Sequence, residues 1–154
     1  MFSLIFAVNS VGLIACSQVN GWLAGRIAPR RVLAAGLGAG IVAGLGILAV
    51  ILAGLPQLVL LALGFFVLVS SMGFVMPNAT VLALTRHPEA AGAASATLGV
   101  MQFTVGAVSA PLVGVAGDHN AVPMAVLIFV LAAGSFASFA LLTGRTETVT
   151  RSIR

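Results

Sequence analysis

Charge is what this sequence lacks. Of its 154 residues seven are arginine, three are acidic and none is lysine, so charged residues make up 6% of the chain. A soluble domain carries roughly 25%. Hydrophobic residues reach 60% and the mean hydropathy is +1.20. Such a chain cannot cover its own surface with polar groups, so the solvent it expects is lipid. Cys16 is the one cysteine, which excludes a disulfide framework or a cysteine metal cluster. His87 and His119 fall in opposite loops, so they cannot share a metal. No Ser-His-Asp constellation at membrane depth, no phosphate loop and no HExxH motif occurs, and the chain does not read as an enzyme. The isoelectric point near 11.6 would suggest nucleic acid in a soluble protein. Here the arginines are scattered over loops without an aromatic-bearing basic face, and no nucleic-acid partner is expected.

What remains are long uncharged stretches. Residues 1–25, 32–85, 90–117 and 119–144 contain no Asp, Glu, Lys or Arg. A hydrocarbon core about 30 Å thick takes roughly 20 apolar helical residues. Three of these stretches each hold one span, and the longest holds two, divided at Gly54-Leu55-Pro56-Gln57. The sequence thus predicts an all-α membrane protein with a helical bundle over 1–144, spans near 3–24, 33–54, 58–82, 91–115 and 122–143, and a cytoplasmic tail over 145–154. Five crossings put Arg26, Arg30, Arg31, Arg86, Arg145, Arg151 and Arg154 on one face, leaving Asp118 on the other. Short arginine-rich loops stay cytoplasmic, so the N-terminus is expected outside and the C-terminus inside. Residues 1–25 have no basic start and run too long for a signal peptide. A retained helix entering from outside normally follows an earlier one, so the chain is expected to be the tail of something longer.

Small and polar residues recur with helical phase. Gly36, Gly40 and Gly44 line one face of the second span; Gly92, Gly99 and Gly106 line the fourth, where Gly106, Ala110 and Gly114 also repeat every fourth residue. Such residues let helix backbones approach in lipid, which predicts packing within a bundle, with homodimerisation as the alternative. Polar stripes run through Asn9, Cys16 and Asn20, through Ser71, Asn78 and Thr85, and through Ser95, Gln102 and Ser109. An amide turned to lipid would be left unsatisfied. These stripes therefore face other helices or a wet cavity, and for Asn9, Asn78 and Gln102 both roles stay open. Pro77 removes a backbone donor inside the third span and clashes with the carbonyl of Gly73, so a kink is expected there, with the freed carbonyl open to Asn78 or a neighbouring helix. No Asp, Glu, Lys, Arg or His lies within a span, although proton relays normally need such groups.

The segment Gly21-Trp22-Leu23-Ala24-Gly25-Arg26-Ile27-Ala28-Pro29-Arg30-Arg31 resembles the cytoplasmic loop signature of the major facilitator superfamily, G-x-L-A-D-R-x-G-R-R, on Gly21, Arg26, Arg30 and Arg31. Gly25 stands in place of the signature's Asp and Ala28 in place of its inner Gly, which puts the usual Asp-centred charge network in doubt. Further blocks resemble the Bcr/CflA drug-resistance branch: Phe6 to Leu13, Ser17 to Asn20, Gly73 to Ala79, Ala91 to Ala96, and Gly99 to Gln102. The resemblance implies helices eight to twelve of a twelve-helix, proton-coupled exporter of amphipathic drugs in the bacterial cytoplasmic membrane. Helices one to seven, which carry most of the coupling carboxylates, would lie outside this chain and be its chief partner, beside the lipid bilayer and the drugs. No cofactor is implied other than the proton gradient. On this reading Asn9, Met72, Met76, Asn78, Met101, Gln102 and Phe103 form an apolar, weakly polar substrate wall, and Gly73 with Pro77 forms a kink or gate. A second reading is a small structural subunit acting by helix packing with a partner.

Overall fold

The computed structural model describes residues 2–54, 58–85, 88–114 and 121–151. Among them are five α-helices: α1 (Phe2–Leu23), α2 (Pro29–Leu52), α3 (Leu58–Leu84), α4 (Ala91–Gly114) and α5 (Val122–Arg151). A single 3-10 turn, Pro88–Ala90, precedes α4. All five are long and apolar enough to cross a membrane. Helix is what the solvent dictates, because lipid offers backbone amides no partner and a helix satisfies them internally. Arg86, His87, Asp118, His119, Arg154 and the Leu55-Pro56-Gln57 turn lie outside the described residues.

Backbone chemistry marks the ends. Gly25 takes φ +81°, a left-handed conformation that closes α1, with the amides of Arg26 and Ile27 donating to the Leu23 carbonyl. Pro29 then opens α2 at a position where its missing N–H costs nothing. This start lies four residues before residue 33, so Arg30 and Arg31 belong to the first turn of α2. Gly54, at φ +63°, follows the end of α2. At the other end of the chain, residues 145–151 continue α5 as helix. No proline or second glycine follows Gly144 to stop the helix.

Helix α3 is the hub. It packs along both α1 and α2, while α2 also packs on α5. The small apolar core follows α2, where Leu33, Ala43 and Ile47 are buried, and Ala125 of α5 is fully enclosed. Glycine sets the separations. A Cβ added at Gly64 would lie 2.6 Å from Ile47 Cγ1, and one at Gly12 would fall 2.6 Å from the Phe66 ring. The tightest backbone approach is at Gly73, where a Cβ would meet the Leu13 carbonyl oxygen at 2.8 Å and the Ser17 amide nitrogen at 2.9 Å. Gly73 thus admits the backbone of α1, besides preceding Pro77 by one turn. The helix runs unbroken through Pro77.

The two glycine stripes have different fates. Gly36 meets Phe74 and Val75 of α3, Gly40 meets Ser71, and Gly44 lies against the backbone of Phe129 in α5. By contrast, nothing approaches Gly92, Gly99 or Gly106 among the described residues, and no residue of Ala91–Pro111 is buried. The α4 stripe does not pack within this bundle, because α4 touches α3 and α5 only lightly.

Gly73→Val should therefore lower stability by about 1–3 kcal/mol, the range for overpacking, since the obstructing atoms are backbone. Gly38→Ala adds its methyl where nothing lies within 4 Å, and should be neutral or stabilising by up to about 1 kcal/mol. Thermal melts of both variants in detergent, followed by circular dichroism, check the contrast.

Candidate functional site

Helix α3 presents its polar and its soft apolar side chains on different sides. Ser71 and Asn78, seven residues apart and nearly in phase, are buried. The Asn78 amide nitrogen donates to the side-chain oxygen of Asn20 on α1 at 2.5 Å and to the carbonyl of Phe74 at 2.7 Å. Asn78 thereby joins α1 to α3. The carbonyl it reaches is that of Phe74, next to the Gly73 carbonyl that Pro77 leaves without its usual donor. Ser71 donates to the Leu68 carbonyl at 2.7 Å.

Met72 and Met76 occupy successive turns on another side and are exposed. Across from them stands Gln102 of α4, whose amide nitrogen lies 3.9 Å from the sulfur of Met76. This is a weak donor contact to a soft acceptor, and among the described residues it is the one side-chain bond that Gln102 makes. Met101 and Phe103 flank Gln102 and are 62% and 81% exposed, so they extend the surface to either side. Asn9 is half-buried on the α1 face that also carries Cys16 and Asn20. The structure thus brings Met76 and Gln102 together between α3 and α4, with Met72, Met101 and Phe103 exposed on the adjoining turns. Asn78 lies in a separate, closed contact. Neither contact includes a titratable side chain among the described residues.

The loop after α1 carries its own local order. Arg26 donates through Nη1 to the Trp22 carbonyl at 2.6 Å, and its guanidinium sits 4.2 Å from the centroid of the Trp22 ring. Cation and ring attract through the ring quadrupole. Gly25 holds the left-handed position that brings Arg26 back over Trp22. Gly21 is exposed with nothing within 4 Å of an added Cβ. Sequence reasoning placed Asn20 and Asn78 on stripes but missed that they pair. Their shared amide chemistry on helices joined at Gly73 was the available signal.

Comparison with known proteins gives this arrangement a setting. The chain is 31% identical, over 142 residues, to the uncharacterized MFS-type transporter YdgK of Bacillus subtilis (strain 168). The match covers 92% of the chain and 35% of that transporter. This protein is a multi-pass membrane chain similar to about a third of an MFS-type transporter. No protein-family model matches it, and no solved structure does.

A double-mutant cycle on Asn20→Ala and Asn78→Ala should give a coupling energy of about 0.6 kcal/mol, with roughly 1.7 kcal/mol as the upper end for such membrane bonds. Coupling indistinguishable from zero in detergent unfolding would remove the pair as a cross-link between α1 and α3.

Proposed function

We propose that this chain is the C-terminal part, helices eight to twelve, of a major facilitator transporter of the Bcr/CflA branch that exports amphipathic drugs in exchange for protons. The observation that carries the reading is the match to an MFS-type transporter over nearly the whole chain. The ordered blocks resembling the drug-resistance branch, from Phe6-Ala7-Val8-Asn9 to Gly99-Val100-Met101-Gln102, support the finer assignment. The surface formed by Met72, Met76, Met101, Gln102 and Phe103 serves as one wall of the drug path, with Asn9 as a more distant polar contributor. Thioether and phenyl groups adapt to ligands of varied shape, and Gln102 supplies a hydrogen bond of either polarity. Transport involves no covalent chemistry on these residues. Proton-coupling carboxylates reside in helices one to seven, which also pack on the exposed glycine face of α4. The same bare face suits the second reading, a structural subunit that docks on a partner helix by small-residue packing.

In this reading the chain crosses the bacterial cytoplasmic membrane five times, with the N-terminus outside. Reporter fusions after Arg31, near His87 and after Arg154 should read cytoplasmic, and fusions near Gln57 and Asn120 external, because the arginines share one face. A cytoplasmic reading at Asn120 would overturn the orientation.

Function is tested in a full-length transporter built on this sequence. Gln102→Ala and Met76→Ala should change the relative export of three dissimilar drugs severalfold while the protein accumulates normally. Asn78→Ala should lower the melting temperature and leave the relative export unaltered. An unchanged drug profile for both wall variants favours the structural-subunit reading instead.

A further inference from the structure

Helices α1 and α2 both pack on α3 but barely touch each other. The gap between them is a groove of about 500 Å³, floored by Phe66 and Phe74 of α3 and walled by Cys16 of α1 and Ala35 and Ala39 of α2, with Arg31 at one end. It lies apart from the Met76–Gln102 surface and shares no residue with it.

Its chemistry is apolar along its length. The hydroxyl of Ser71, on the wall, is spent on the Leu68 carbonyl, and the Ser70 hydroxyl is buried against Gly12 rather than open to the groove. No other side chain within it offers strong polar recognition. The one charge is Arg31, which is exposed and whose side chain has no hydrogen bond or ion pair among the described residues. Arg26, by contrast, is committed to Trp22. The start of α2 at Pro29 adds the positive end of a helix dipole beside Arg31. A ligand matched to this groove has a long apolar body and a single anionic group at one end.

Length narrows the choice further. From Arg31 to Ala39 the groove follows α2 for about 12 Å at 1.5 Å per residue. Half of a hydrocarbon core of about 30 Å is about 15 Å, so the groove is one leaflet deep. A transmembrane helix of a partner would need a groove running the full span. We infer that the groove between α1 and α2 seats one acyl chain of an anionic phospholipid, with Arg31 holding the phosphate. The orientation proposed above decides only which leaflet supplies the lipid.

The test uses the full chain in vesicles whose two leaflets have the same composition, so that it is independent of orientation. Phosphatidylglycerol and phosphatidylcholine carrying the same photoactivatable acyl chain are cross-linked in separate samples. Labelled peptides are then mapped by mass spectrometry. Phosphatidylglycerol should label the peptides holding Ala39 and Phe66 about fivefold more than phosphatidylcholine does, the preference that one interfacial arginine supplies. Arg31→Gln should bring this ratio close to one while leaving labelling around Val100 and Phe103 of α4 unchanged. Ala35→Trp, which plugs the groove, should reduce labelling there by both lipids. Should that variant misfold by circular dichroism, the exposed Arg31→Gln change still decides the matter. Equal groove labelling by the two lipids in the unmodified chain, or a preference untouched by Arg31→Gln, overturns the inference and leaves ordinary annular lipid.

Discussion

In lipid, two apolar helices gain nothing by hiding from solvent, so they hold together only as well as their surfaces fit. Everything in this bundle depends on that constraint, and it is met at α3. Gly12, Gly36, Gly64 and Gly73 occur where a helix on α3 comes too close for any larger side chain to fit easily. Dispersion contacts are individually tiny and accumulate only at such close range. Helix α5 is held instead on α2, where Gly44 lies against Phe129, and a helix whose glycines meet no neighbour sits loosely. Helix α4 illustrates the rule, since its glycines meet no neighbour and none of its residues over Ala91–Pro111 is buried.

Polar groups act as a second, sparser set of fasteners. The Asn20–Asn78 bond joins α1 to α3 within two turns of the Gly73 approach. The pairing works because both amides are removed from lipid and each meets a partner of complementary polarity. Elsewhere the hydroxyls of Ser10, Thr80, Thr97, Thr104 and Ser135 turn back onto carbonyls four residues earlier. A short side chain can satisfy itself on its own helix in this way, whereas an amide on a longer stem reaches across. That difference separates stripes that connect helices from stripes that merely tolerate lipid.

The helical architecture was legible in the sequence because membrane thickness converts directly into residue number. Uncharged runs and the Gly54 turn located the helices without reference to tertiary contacts. Which glycine stripe would pack was not legible. Gly36, Gly40 and Gly44 resemble Gly92, Gly99 and Gly106 in spacing, and only the position of the neighbouring helix distinguishes them. Gly12 and Gly64 escaped notice for the converse reason: a single glycine makes no pattern, yet one suffices where two axes cross. Among candidate wall residues, Met76 and Gln102 come together while Asn78 turns to Asn20. Periodicity fixes the face of a helix but not the identity of what it faces, so these outcomes required three dimensions. Residues 145–151 show the limit at a boundary, because a fall in hydropathy ends a span without ending a helix.

The left-handed Gly25 has one more consequence. A loop held by an aspartate-centred charge network would loosen as acid protonates the carboxylate and as salt screens it. Here the bend is written into the backbone by a residue without a Cβ, and Arg26 rests on an indole that never titrates. The bend at Gly25 therefore keeps its shape as the surrounding solution acidifies or its ionic strength rises.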